Sequence, residues 1–232
     1  MSTVSLEEFL QPISRALGRS QVPECPLGEF DSLQHPHRSE AVLARGVEDL
    51  TAEFVREAEK LGILLVQVEN DPIKIGVAAA TAARQLGGEK AVYPNVSEAD
   101  ACQLEKALQD HNFAVTRWNP SKPEESLQAA QAADVGITFA AGAIAETASV
   151  MQPSSADNGR ALALYPTSHV AVLRRSTIRP HMAQVLELAA ESGTLPSNLT
   201  FITGASSTSD IELVRVVGVH GPVHTAVVIV ND

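Results

Sequence analysis

Three stretches of this chain gather side chains able to hold a ligand or move a proton. The richest is Ile202–Pro222, reading ITGASSTSDIELVRVVGVHGP, just ahead of an apolar run at Thr225–Val230. A β-branched segment stops at Gly204, and the small or polar residues Ala205, Ser206, Ser207, Thr208, Ser209 and Asp210 follow. Small side chains let backbone N–H groups turn toward a ligand, so Gly204, Ser206, Ser207, Thr208 and Asp210 could form an anion-accepting concavity. Ser209 and Asp210 would serve equally well as the cap of a following helix. His220, between glycine and Gly-Pro, reads as a proton carrier, an anion ligand or a plain turn residue. Strand-end loops of this kind form the mouth of α/β sites, because ligands bind beyond the carboxyl ends of parallel strands.

The second stretch is GAIAETAS, Gly142–Ser149, where Glu146 and Thr147 interrupt a run of small apolar residues. An isolated buried carboxylate is costly, so Glu146 is either partnered or at a site. There it would act as general base or nucleophile, or bind a ligand hydroxyl or amine, with Thr147 beside it. The plainer reading is a strand-end carboxylate held by neighbouring backbone amides. The third is Arg174-Arg175, with His169 nearby. A guanidinium at Arg174 would suit a carboxylate or phosphate at the site mouth, or the pair is simply a solvated strand end. His35 and His37 stand alone in a proline-rich segment and do not make a metal site. No GxGxxG or GK[ST] motif is present, which argues against dinucleotide and P-loop chemistry.

The elements expected to position these residues alternate between strand and helix. Residues 4–18 read as a short amphipathic helix bent or broken at Pro12, and 19–37 as an extended linker. The domain division is therefore an arm at 1–38 and an α/β domain at 39–232. From Ser39 a helix runs to Gly62, followed by a strand at 63–68, a helix at 71–87 capped by Asp71, a strand at 90–93 and a helix at 97–111 begun by Ser97. Strands at 113–116 and 135–139 flank a helix at 124–132. Strand-like runs at 161–165 and 170–173 lie too close for a helical crossover and predict a hairpin or antiparallel insertion. A helix at 180–191 and strands at 200–203 and 225–230 complete an open, mixed but mostly parallel sheet flanked by helices. Few aromatics and abundant Ala, Val, Leu and Ile suit that architecture.

A formal charge of −11 argues against nucleic acid or an anionic membrane as partner, since both need a positive surface. No apolar run reaches the roughly 18 residues of a membrane span, and the acidic N-terminus lacks a secretory signal, so the cytoplasm is the expected location. The two cysteines, Cys25 and Cys102, cannot supply the four ligands of an iron–sulfur cluster or structural zinc site. No metal or cofactor is expected on this chain.

From about residue 40 onward the chain resembles the lactate-utilisation domain family, and within it the protein C branch. The resemblance rests on AIAETAS (143–149), the segment around YPTSHV, ITGASSTSDIE (202–212) and GVHGP (218–222). Two departures stand out. The family shows AETGT where this chain has Ala148 and Ser149, and GPSRTADIE where it has Ala205 and Ser207. The second change removes a guanidinium, leaving Arg174, Arg175 or Arg215 as substitutes. The resemblance implies a fold similar to the sugar-phosphate isomerase, CoA-transferase and formyltetrahydrofolate cyclo-ligase group. It also implies a non-redox subunit of an L-lactate oxidation system, with iron–sulfur clusters carried by partner proteins. The alternative is a stand-alone enzyme or binding protein for a small anionic metabolite (a carboxylate, sugar phosphate, CoA ester or folate). That protein would use Glu146, the 204–210 loop and His220.

Overall fold

Continuous apolar runs make the central strands here and the 3.6-residue period makes helices, and the two meet across a buried sheet. The computed structural model describes residues 6–16, 18, 45–191, 196–209, 215–217 and 221–232, with the backbone alone at 6–10, 191, 208–209 and 215–217. The chain divides into units 1–39 and 40–232. In the first, helix α1 (Leu6–Ala16) runs on through Pro12, so the proline does not end it. The linker at 19–37 lies outside the described residues.

In the second unit, α2 (Val47–Lys60) leads into β1 (Leu64–Glu69). Helix α3 (Pro72–Leu86) starts where the Asp71 side chain accepts from the Lys74 amide, with proline at the first position, as the sequence predicts. Next come β2 (Lys90–Tyr93), α4 (Ser97–Ala101), α5 (Leu104–Asp110), β3 (Ala114–Arg117), α6 (Pro123–Ala132) and β4 (Val135–Ala140). The single helix expected at 97–111 is two, because Gln103 adopts a left-handed conformation at φ 48°. Its entry is capped by no side chain, with Val96 rather than Ser97 at the cap position. Gly76 of α3 explains the tight approach of this break: a Cβ there would lie 2.1 Å from the Cys102 carbonyl oxygen.

The chain continues through β5 (Gly142–Ile144), β6 (Ser149–Pro153), α7 (Ala161–Leu164), β7 (Ser168–Arg174), β8 (Ile178–Arg179), α8 (Met182–Glu191) and β9 (Leu199–Ile202). A small antiparallel ribbon, β10 (Ser207–Ser209) with β11 (Arg215–Val217), precedes β12 (His224–Asn231).

The main sheet has the order β1-β12-β7-β4-β2-β3, and every pairing in it is parallel. One face (Val135, Ile137, Val170, Val172, Ala226, Val228) packs on the alanine-rich side of α3 at Ala79, Ala80 and Ala83. The small side chains bring helix and sheet close together. The other face (Ala171, Leu173, Val227, Ile229) meets Leu50, Phe54 and Ala58 of α2, and also Ala143, Val150 and Ile178. Those last three belong to a second sheet, β8-β5-β6-β9, which mixes parallel and antiparallel pairs. Helix α8 covers it through Val185 and Ala189 on Ile144 and Met151. The chain is thus α/β with a mostly parallel sheet flanked by helices.

Two sequence expectations are overturned. Residues 161–164 form a helical turn rather than a strand, stacked so tightly over β4 that a Cβ on Gly136 would lie 1.8 Å from the Leu162 carbonyl oxygen. Strand β7 is therefore not one arm of a hairpin. It lies at the centre of the parallel sheet, between β12 and β4. The antiparallel insertion is instead built from β5, β6 and β9.

Candidate functional site

Glu146 occupies the four-residue turn, 145–148, between β5 and β6. Two long-range amide bonds fix it: Ala145 N–H donates to the Arg179 carbonyl at 2.8 Å, and Glu146 N–H to the Pro180 carbonyl at 3.4 Å. They extend the parallel pairing of β5 with β8 and carry His181, just past β8, to the same level. His181 Nδ1 lies 2.7 Å from Glu146 Oε2, with side-chain exposures of 18% and 39%. The contact is a salt bridge when the imidazole is protonated. The carboxylate thus meets an imidazole rather than the backbone amides alone.

Thr147 adds a hydroxyl relay. Its Oγ1 lies 2.7 Å from Ser149 Oγ, which in turn bonds Thr203 Oγ1. Thr147 and Thr203 are exposed, whereas Ser149 is buried between them. Thr203 follows β9 and immediately precedes Gly204. The glutamate turn and the start of the hydroxyl-rich loop, with Thr147 and Thr203 56 residues apart in sequence, are therefore neighbours in space.

Gly204 has a positive φ of 68°, and its α-carbon faces Leu61 and Ile63 at the amino end of β1. The Ser206 amide donates to the Pro222 carbonyl at 2.8 Å, so it is not open to an anion. A Cβ on Gly221 would touch Ser206 at 3.2 Å, which brings the Gly-Pro turn against the loop. Ser207 and Thr208 lie in β10, and Ser209 pairs with Arg215 instead of capping a helix. His220 and Asp210 lie outside the described residues.

The location differs from the sequence expectation. β9 runs antiparallel to β6 and β6 antiparallel to β5, so β5 and β9 point the same way. Because β9 delivers Gly204 to the start of β1, this cluster sits at the amino ends of the main strands, not beyond their carboxyl ends. The loops that look like a strand-end mouth follow strands of the second sheet.

Arg174 lies at the opposite end, where β7 terminates. Its guanidinium donates to Asn70 Oδ1 at 3.3 Å and stands 3.7 Å from Asp232 Oδ2. Burial pushes the Asp232 carboxyl up, but hydrogen bonds from Ser176 and the Arg174 charge outweigh it and hold the group below the usual range. Arg174 borders a cavity of about 270 Å³ with Pro72, Cys102 and Phe139. It is not part of the Glu146 cluster. Arg175 is spent on Glu48 at 2.7 Å. Cys102 is no nucleophile, since burial pushes its thiol up to about 11.

His169 is a core residue, 1% exposed, in contact with Thr138 Oγ1 at 2.8 Å. Full burial pulls its imidazole down to about 4. His181 is the functional candidate that the sequence hides. Its only local signal is a histidine between Arg-Pro and a helix, and its partnership with Glu146 depends on a strand pairing between distant segments. Among the described residues no three His, Cys, Asp or Glu side chains converge as a metal site, and no helix is long and apolar enough to cross a membrane.

The family model described as the LUD domain matches residues 32–230. The chain belongs to the LUD domain family. This LUD chain is 34% identical to lactate utilization protein C of Bacillus velezensis over 97% of its own length and 95% of that protein's. Against the protein of the same name in Bacillus subtilis it is 30% identical, over 97% and 96%. It is also 31% identical to a protein named YkgG of Escherichia coli over 97% of both chains. A crystal structure of a DUF162 family protein from Deinococcus radiodurans shares the fold, with a TM-score of 0.58 and 24% identity over 80% of this chain and 99% of that one.

Proposed function

We propose that this LUD chain serves L-lactate utilisation as a component without a redox centre of its own, beside partner proteins whose iron–sulfur clusters carry the electrons. Two kinds of support meet in this reading. The Bacillus relatives that align over nearly the whole chain bear the name lactate utilization protein C. The chain's two cysteines fall short of the four thiolates that a cluster takes.

The observation that carries the site is the 2.7 Å approach of His181 to Glu146 beside the Thr147–Ser149–Thr203 hydroxyls. A 2-hydroxy acid offers a hydroxyl donor and a carboxylate. Glu146 accepts from the first, while protonated His181 and the exposed threonine hydroxyls face the second. The pair also holds a proton within reach of a ligand hydroxyl.

A strain deleted for the gene tests the assignment. Growth on L-lactate is lost, wild type restores it, and Glu146→Gln or His181→Gln restores less than a tenth of the rate at equal protein level. Normal growth of the deletion strain, together with no co-purification of cluster-bearing proteins, rejects the role. Restoration by both variants rejects the site.

A further inference from the structure

The Glu146 cluster leaves the carboxyl ends of the main strands free, and the cavity of about 270 Å³ opens there. Asn70 follows β1, Val230 nears the end of β12, Arg174 ends β7, and Phe139–Ala141 lead out of β4. Ligands of parallel α/β sheets bind beyond such ends. The cavity is a notch in the core beside α3. Ile75, Cys102, Val172 and Val230 line it and are buried members of one apolar cluster, against which Phe139 packs. An apolar cavity of about 150 Å³ is enough for benzene. This one has room for a ring of that size and a short polar arm.

Arg174 brings the positive charge. Its guanidinium is at the cavity wall, because the Asn70 side chain that Nη1 reaches at 3.3 Å lines the same cavity. Asp232 leaves that guanidinium largely open. Its carboxylate accepts from the Ser176 amide at 2.9 Å and hydroxyl at 2.7 Å, and it stands 3.7 Å from Arg174 Nη1, beyond hydrogen-bond range. Among the described residues Nε and Nη2 of Arg174 make no hydrogen bond or ion pair, and the side chain is 51% exposed. That edge offers two parallel N–H donors, which match the two oxygens of a carboxylate.

The surrounding charges limit what can sit there. Glu98 is the other charged residue among the described lining residues, and Asp232 stands beside the same guanidinium. A phosphate or a nucleotide would bring a second negative charge toward two carboxylates and one cation. We infer that this cavity binds a small monocarboxylate with an apolar body of about benzene's size. The carboxylate accepts from the Nε–Nη2 edge of Arg174, and the body rests against Ile75, Phe139, Val172 and Val230. Lactate has no such body to fill the notch. The site is therefore distinct from the Glu146 cluster at the amino ends of the strands.

Isothermal titration and ligand-detected NMR on the full chain test this with phenylacetate, phenethyl alcohol, phenyl phosphate and acetate. Phenylacetate binds about tenfold tighter than phenethyl alcohol, which keeps the ring without the charge. Phenyl phosphate and acetate are also weaker by about tenfold or more, the first for its second negative charge and the second for its missing ring. Arg174→Gln lowers phenylacetate to the affinity of the alcohol and leaves the alcohol unchanged, whereas Arg174→Lys keeps part of the difference. Ala101→Phe, at an exposed lining position, abolishes binding of both. The three variants keep the wild-type melting temperature within about 2 °C. Equal affinity for phenylacetate and phenethyl alcohol, binding indifferent to Arg174→Gln or to Ala101→Phe, or no phenylacetate binding at about 1 mM would each overturn the assignment. Glu146→Gln leaves phenylacetate binding as in wild type, and a loss in that variant overturns it as well.

Discussion

His169 shows how one side chain can set an acid limit on the whole fold. Its folded-state pKa is about 4 against an ordinary 6.5, the cause being burial. Between those values the unfolded chain takes up a proton that the folded chain refuses. Stability is therefore full above pH 6.5 and falls as pH drops toward 4, by up to about 1.4 kcal/mol per unit. Urea midpoints measured at pH 7 and pH 5 should differ less for His169→Gln than for wild type. An unchanged difference would mean that other groups dominate the slope. Gln152, buried at 2% exposure with both amide atoms unpartnered, makes the complementary case. Gln152→Met keeps the volume and removes the unmet polarity, so it is expected to stabilise by about 1–2 kcal/mol in denaturant titration.

At the level of elements, backbone conformation decides what a substitution costs. Ala148 closes the β5–β6 turn at φ 50°, a region that glycine enters freely and alanine does not. That is where the family carries glycine. Ala148→Gly relieves the strain but gives up a buried methyl, so it should lie within about 1 kcal/mol of wild type. Ala145→Gly in the same turn has no such relief and is expected to cost more; the reverse order in denaturant titrations would refute the strain account. Gly76→Ala drives a methyl into the Cys102 carbonyl and should cost about 2–3 kcal/mol by splitting α3 from the α4–α5 break.

For the whole molecule, the βα alternation up to Ala140 is legible in the sequence, apart from the break at Gln103, because the strands and helices there carry periodic signals and one helix carries a clear cap. Asp71-Pro72 and the β-branched runs are examples. Legibility fails where tertiary contact overrides local preference. ALALY at 161–165 suits a strand by composition, but the close approach to Gly136 makes a helical turn of it. The glutamate turn and the serine-threonine loop are visible as sequence motifs, and the structure joins Thr147 to Thr203. Their position at the amino ends of the main strands is not legible, because it follows from a second sheet whose β5–β8 and β6–β9 pairings are long-range. The same architecture puts the Glu146 turn and Arg174 at opposite ends of the main strands. Glu146 meets His181, whereas Arg174 meets Asn70 and Asp232, so the effects of substituting the two on stability should add within about 0.5 kcal/mol in a double variant.

The pairing of β1 with β12 has a consequence for biosynthesis. Leu64 aligns with Ala226 and Glu69 with Asn231, so the earliest strand of the sheet waits for the latest. While the ribosome is still translating the segment between them, β1 has no neighbour on its inner side and presents an apolar edge to the cell. Incorporation of β1 into the sheet is thereby postponed until residues 224–231 have cleared the exit tunnel, whereas β7, β4, β2 and β3 can pair with one another before then.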